Sequence, residues 1–87
     1  MPHVVMYSTA ICPYCVRAKH LLENKGISYE EIRIDHDHDI MQEMMRRSNR
    51  QTVPQIFIDD FHVGGYDDLA SLEMSGRLNQ LLGLKDE

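Results

Sequence analysis

The sequence has no third cysteine, no basic excess and no long apolar run, and each absence removes a class of function. Its 87 residues include two cysteines, both in Cys12-Pro13-Tyr14-Cys15. Structural zinc takes four ligands, usually completed by a second cysteine pair or a histidine pair at suitable spacing. His3, His20, His36, His38 and His62 show no such spacing, so no metal site is expected. Lysine and arginine number 9 against 14 aspartates and glutamates, a formal net charge of −5. A general nucleic-acid binder needs a basic face to displace phosphate counterions, and that role is not expected. No apolar stretch approaches the roughly 20 residues that span a bilayer. Residues 1–5 lack the basic segment and apolar core of a secretory signal. The expected location is the cytosol, where disulfides are usually transient and catalytic. Hydrophobic residues make up 43% and charged residues 26%, the balance of an ordinary globule, and the length suits one domain over residues 1–87.

Apolar patterning predicts the element order. Val4-Val5-Met6-Tyr7 reads as a buried strand, and Ser8-Thr9-Ala10-Ile11 as a loop into Cys12. Pro13 suits a first helical position, where its missing N–H costs nothing. Val16, Ala18, Leu21 and Leu22 form a helical apolar face, and Gly26 is a left-handed stop. Residues 28–35 alternate as a second strand, with Tyr29, Ile32 and Ile34 inward. A helix is expected over Asp39 to Ser48, with Asp39 as its cap and Met41, Met44 and Met45 as core and partial-surface packing. Residues 55–58 form a third strand, Asp59-Asp60 a tight turn, and Phe61-His62-Val63 its hairpin partner. Pro54 is tolerated at the entry to a strand. A helix from Asp67-Asp68 through Met74 and a short one over Leu78 to Leu82 close the chain. Asp35 to Asp39 reads as a solvated turn, and Lys19 and His20 as helix surface.

The dithiol carries the chemistry. A disulfide across so small a loop would stabilise by only about 2 kcal/mol in the chain-entropy model, so the spacing suits reaction better than reinforcement. A thiol of ordinary pKa is only about 3% thiolate at pH 7, and the thiolate is the nucleophile. Cys12 stands at the predicted N-cap, where its sulfur can accept hydrogen bonds from the N–H groups of Tyr14 and Cys15. The helix dipole alone supplies about 0.3–1 kcal/mol, less than one pKa unit. Any larger drop needs the direct N–H contacts. Cys15, one turn inside, should be the more buried. Cys12 is then the attacking thiol and Cys15 the resolving thiol, working through a mixed disulfide.

With Cys12-Pro13-Tyr14-Cys15, Thr52-Val53-Pro54 and Gly64-Gly65-Tyr66-Asp67-Asp68 in this order, the chain resembles the dithiol glutaredoxins over essentially its whole length. It is most similar to the small bacterial members; thioredoxins carry Gly-Pro between their cysteines instead. The resemblance implies an α/β thioredoxin fold, β-α-β-α-β-β-α, with a four-stranded mixed sheet of order 2-1-3-4 flanked by helices. It also implies that the last two strands run antiparallel to the first two. The implied activity is glutathione-dependent reduction of protein disulfides and protein–glutathione mixed disulfides. Glutathione would be a co-substrate, with no tightly bound cofactor. The chain would act as a monomer on disulfide-containing or glutathionylated proteins, ribonucleotide reductase among the candidates.

The resemblance also assigns a groove. Pro54 matches the family's cis-proline beside the dithiol. Val53 would pair its N–H and C=O with the cysteine part of glutathione in strand fashion. Gly64-Gly65 would let backbone approach the ligand. N–H groups near Tyr66 and Asp67 would receive the γ-glutamyl carboxylate, and Asp67 its ammonium. Tyr14 would flank the reacting sulfurs and Thr52 border the groove. The glycine carboxylate needs a cation or amide, for which Arg47, Arg50 and Gln51 are candidates. Two positions depart from the family: Thr9 stands where many members carry Lys or Arg, and Tyr66 where relatives often carry Cys. Two rival readings are a donor recycled by thioredoxin reductase, whose sequence pattern is not matched, and an iron–sulfur carrier. In the latter, two chains would share a cluster through Cys12 and glutathione; Pro13 and the competing thiol of Cys15 disfavour it.

Overall fold

The computed structural model describes residues 2–84. The elements are β1 (Val4–Ser8), α1 (Pro13–Asn24), β2 (Glu30–Arg33), α2 (His38–Ser48), β3 (Gln55–Ile58), β4 (Phe61–Gly64), α3 (Tyr66–Met74) and α4 (Arg77–Leu82). One sheet has the order β2-β1-β3-β4. β1 pairs with β2 in parallel, Tyr7 opposite Ile32, and with β3 in antiparallel fashion, Tyr7 opposite Gln55. β3 and β4 are antiparallel. This corrects one expectation: β3 alone opposes β1 and β2. The two-residue Asp59-Asp60 turn reverses the chain once more, so β4 runs with the first two strands.

Alternation along the central strands divides the core between the two sheet faces. Val4 and Met6 of β1, with Ile56 and Ile58 of β3, join Ala18 and Leu22 of α1, Leu69 of α3 and Leu78 and Leu82 of α4. The intervening Tyr7 and Phe57 join Ile34 and Met44, with Ile40, Met41 and Met45 packed against them. The methionines are therefore core and near-core, as their spacing predicts. The Tyr7 hydroxyl donates to Glu43 at 2.7 Å and accepts from Arg47 at 2.9 Å, which ties α2 to the sheet. The Arg47 guanidinium also stacks over Phe57, 4.1 Å from the ring centroid.

Helix boundaries follow local chemistry. Gly26, just past α1, has φ +72°, the left-handed conformation that a C-terminal stop requires. α2 begins one residue earlier than its apolar spacing suggests, because Asp37, not Asp39, is its cap and accepts the Asp39 N–H at 2.9 Å. Asp39 lies in the first turn, where its charge favours the dipole. The apolar face of α1 is narrower than the sequence pattern implies: Cys15, Ala18 and Leu22 are buried, but Val16 is 47% exposed. Among the described residues no helix is long and apolar enough to cross a membrane.

The contrast between Val16 and Met44 is measurable by chemical denaturation. Met44→Ala should cost about 2–5 kcal/mol, whereas Val16→Ala should stay within about 0.5 kcal/mol.

Candidate active site

The end of β1, the start of α1, the turn into β3 and the start of α3 converge at one end of the sheet. Cys12 is the N-cap of α1, with extended backbone (φ −151°, ψ 96°), and Pro13 follows it at the first helical position. Cys12 and Cys15 form a disulfide, with Cα atoms 5.1 Å apart. The Cys15 N–H donates to the Cys12 sulfur at 3.0 Å. Of the two N–H groups expected to reach that sulfur, Cys15 makes the bond. Cys15 is 1% exposed, while Cys12 is only half-buried.

The loop before Cys12 is tethered from β2. Asp35 accepts the Ala10 N–H at 3.0 Å and is gripped by Arg33 through Nε at 2.7 Å and a terminal nitrogen at 2.6 Å. That fork holds the Asp35 carboxyl well below the usual carboxylate range, so the tether stays charged. The segment 35–39 is thus more than a solvated turn, since its first residue fixes the approach to the dithiol. Beneath the same loop, Ser8 donates to Glu31 at 2.5 Å and Lys19 pairs with Glu31 at 2.6 Å. Those two partners, Lys19 first, lower the Glu31 pKa. Lys19 accordingly links α1 to β2 and is not a free surface charge.

Beside the dithiol lies an open groove of about 360 Å³, within the size range of small-ligand sites. Tyr14, Thr52, Val53, Pro54, Gly65, Tyr66 and Asp67 all line it, joined by Arg50 and Asp68. The Val53–Pro54 bond is cis. Tyr14 and Tyr66 stack at 6.3 Å and 30°, and Arg17 caps Tyr14 from 5.2 Å. Of the three candidates for a carboxylate partner, Arg50 lines the groove; Arg47 and Gln51 do not. Arg47 is engaged with Tyr7 and Phe57.

Asp68, which the sequence pattern places only at a helix start, organises this wall. One of its oxygens accepts the Gly65 N–H at 2.9 Å and the Arg50 guanidinium at 2.9 Å. Arg50 first, then the Gly65 N–H, hold its pKa below the ordinary value. The detectable signal is an acid three residues after the Gly65 cap, the spacing of a capping box. Gly64, at φ +113°, is forced: a Cβ there would collide with that Asp68 oxygen and crowd Arg50. Asp67 is exposed and makes no hydrogen bond or ion pair among the described residues. Asp68 does the capping and Asp67 is left free beside the first N–H groups of α3.

The glutaredoxin family model matches residues 4–63. A glutaredoxin of Pseudomonas aeruginosa is 51% identical over 82 residues, covering 94% of this chain and 98% of that protein. Glutaredoxin 3 of Escherichia coli K12 is 51% identical, covering 94% of this chain and 99% of its own. Among solved structures, a buckwheat glutaredoxin–glutathione complex superposes with TM-score 0.86 at 30% identity, covering 94% of this chain and 77% of that one. The solution structure of a Brucella melitensis glutaredoxin gives 0.84 at 49% identity, covering 94% and 89%.

The Asp68 bridge has a pH signature. Its folded pKa lies below the ordinary value near 3.8, so its stabilisation is complete above that value and disappears as pH falls through the folded pKa. Asp68→Asn should therefore be less stable than the parent at pH 7, with the gap in thermal midpoint closing below about pH 4. A gap independent of pH would remove the charge from the explanation.

Proposed function

This chain belongs to the glutaredoxin family and is a glutathione-dependent thiol–disulfide oxidoreductase, and on that premise we propose the roles of its residues. Cys12 is the attacking thiol and Cys15 the resolving one. The observation that carries this is their inequality: a half-buried sulfur receiving an N–H at a helix start, against a thiol that is 1% exposed. In the reduced protein the same N–H stabilises a thiolate on Cys12. Thr9 supplies no cation, so this helix-terminal contact carries more of that stabilisation than in relatives with Lys or Arg at the same place.

With a protein–glutathione mixed disulfide, the Cys12 thiolate attacks the glutathione sulfur. A Cys12–glutathione bond forms, the protein–glutathione bond breaks, and the protein leaves as a thiolate that takes up a proton. A glutathione thiolate then attacks the bound glutathione sulfur, releasing glutathione disulfide and the Cys12 thiolate. With a protein disulfide, Cys12 attacks one sulfur and Cys15 then attacks Cys12. The second protein thiol is released and Cys12–Cys15 is left oxidised, to be reduced by two glutathiones.

The groove receives the glutathione moiety. Val53 offers backbone N–H and C=O to its cysteine residue as an added strand, with Pro54 and Thr52 at the border and Tyr14 beside the sulfurs. The first N–H groups of α3, at Tyr66 and Asp67 beyond Gly65, take the γ-glutamyl carboxylate, and the unpaired Asp67 takes its ammonium. Arg50, which lines the groove, is the cation best placed for the remaining carboxylate, while Arg47 and Gln51 lie outside that lining. Glutathione acts as a passing co-substrate with no resident cofactor. The chain acts as one domain over 1–87, a monomer in the cytosol, and serves disulfide-containing or glutathionylated proteins, with ribonucleotide reductase one candidate.

Paired variants test the roles in a glutathione-coupled assay. Cys12→Ser should abolish all activity, while Cys15→Ser should keep deglutathionylation and lose most reduction of protein disulfides. An active Cys12→Ser protein would contradict the mechanism.

A further inference from the structure

Gln55 has no part in that scheme, yet it is a fully buried polar side chain (0% exposed) directly after Pro54. A buried amide is costly unless its donors and acceptor are matched, and here they are. Its nitrogen donates to the Thr52 carbonyl at 3.0 Å and reaches the Thr52 hydroxyl at 3.3 Å. Its oxygen lies 2.7 Å from His62 Nε2. A carbonyl can only accept, so the amide nitrogen must face Thr52 and the oxygen must face His62, which therefore carries a proton on Nε2. His62 is itself held by stacking on Phe57 at 4.8 Å and 28°. Burial, then the Arg50 charge, lower its pKa, leaving the neutral ring with its one N–H committed to Gln55. Residues 50–54 belong to no helix or strand, and Pro54 has no N–H to offer. Among the described residues, the Gln55 amide supplies the side-chain hydrogen bonds into the Thr52–Val53–Pro54 turn.

We propose that Gln55 is a positioning residue for the groove: its buried amide, oriented by His62, holds the Thr52–Val53–Pro54 turn in the shape that pairs with the glutathione part of a mixed disulfide. This rests on the assignment of the groove to glutathione. The clip also occupies the Thr52 hydroxyl oxygen as an acceptor, leaving the hydroxyl proton free to be given to a ligand.

The test uses one peptide bearing a single cysteine, either glutathionylated or cysteinylated, in steady-state kinetics. Gln55→Met keeps length and apolar volume without the hydrogen bonds. It should raise KM for the glutathionylated peptide roughly tenfold, the loss of about one such contact. Its kcat should stay within about twofold, and KM for the cysteinylated peptide should not change. His62→Phe keeps the stack on Phe57 but removes the N–H and should raise the same KM by a smaller factor. His62→Gln, which restores a donor, should recover it. A folded Gln55→Met protein with unchanged KM, or with an equal rise for both peptides, overturns the proposal. If Gln55→Met does not fold, the His62 pair decides: a rise in His62→Phe that His62→Gln reverses supports the proposal, and no rise overturns it. A parent protein that shows no preference for the glutathionylated peptide overturns the groove assignment itself, a result distinct from loss of the Gln55 effect alone.

Discussion

The bond from the Cys15 N–H to the Cys12 sulfur is the contact on which the chemistry turns, and the rest of the molecule is arranged to make it. It exists only if α1 begins at Cys12 and the sulfur stands at the position where helical N–H groups lack partners. The extended backbone of Cys12 and the ring of Pro13 begin the helix there. The parallel pairing of β1 and β2 requires α1 as its crossover. Burial of Ala18 and Leu22 against β1 and β3 fixes its axis. Holding the loop before Cys12 is left to Asp35 and Arg33, which reach back from the end of β2. Sheet, crossover and tether thus all serve to present one sulfur at one helix end.

The groove is assembled on a different principle. Its wall segments are far apart in sequence and one of them, residues 50–54, is irregular, so polar side chains do what strand pairing cannot. Asp68 joins Gly65 to Arg50 across two elements, and Gln55 joins Thr52 to His62. Neither clip touches a sulfur. The Gln55 amide is fully buried and has matched partners, as a buried polar group must, while the Asp68–Arg50 pair is half-exposed. Asp67 makes no hydrogen bond or ion pair among the described residues, because Asp68 already caps the helix.

What could be read from the residues alone divides along the same line. Val4 to Tyr7, Pro13 and Gly26 carry local signals of period, φ preference and missing donors, and the elements appear where those signals place them. The order of the sheet, and the reading of the groove as a glutathione site, rest on resemblance, through Cys12 to Cys15, Thr52 to Pro54 and Gly64 to Asp68. The misreadings concern choices between neighbours. Asp37 rather than Asp39 caps α2, because both are acceptable caps and only the path of the chain selects one. Val16 lies at the rim of the helical apolar face, and which side of that rim meets the sheet is a tertiary fact. Arg47 and Arg50 are not a misreading but a choice the residues leave open: Tyr7 and Phe57 engage the first, and the second lines the groove. Gln55 and His62 gave no local signal because their meaning is a long-range pairing across a hairpin.

The central claim is that the two thiols are chemically unequal in the reduced protein. Brief alkylation with iodoacetamide at pH 6.0 to 7.5, followed by peptide mapping, tests it most directly. The expected result is modification of Cys12 well ahead of Cys15 across the range, with Cys12 already reactive at its acid end. Equal labelling of the two, or labelling of Cys15 first, would contradict it.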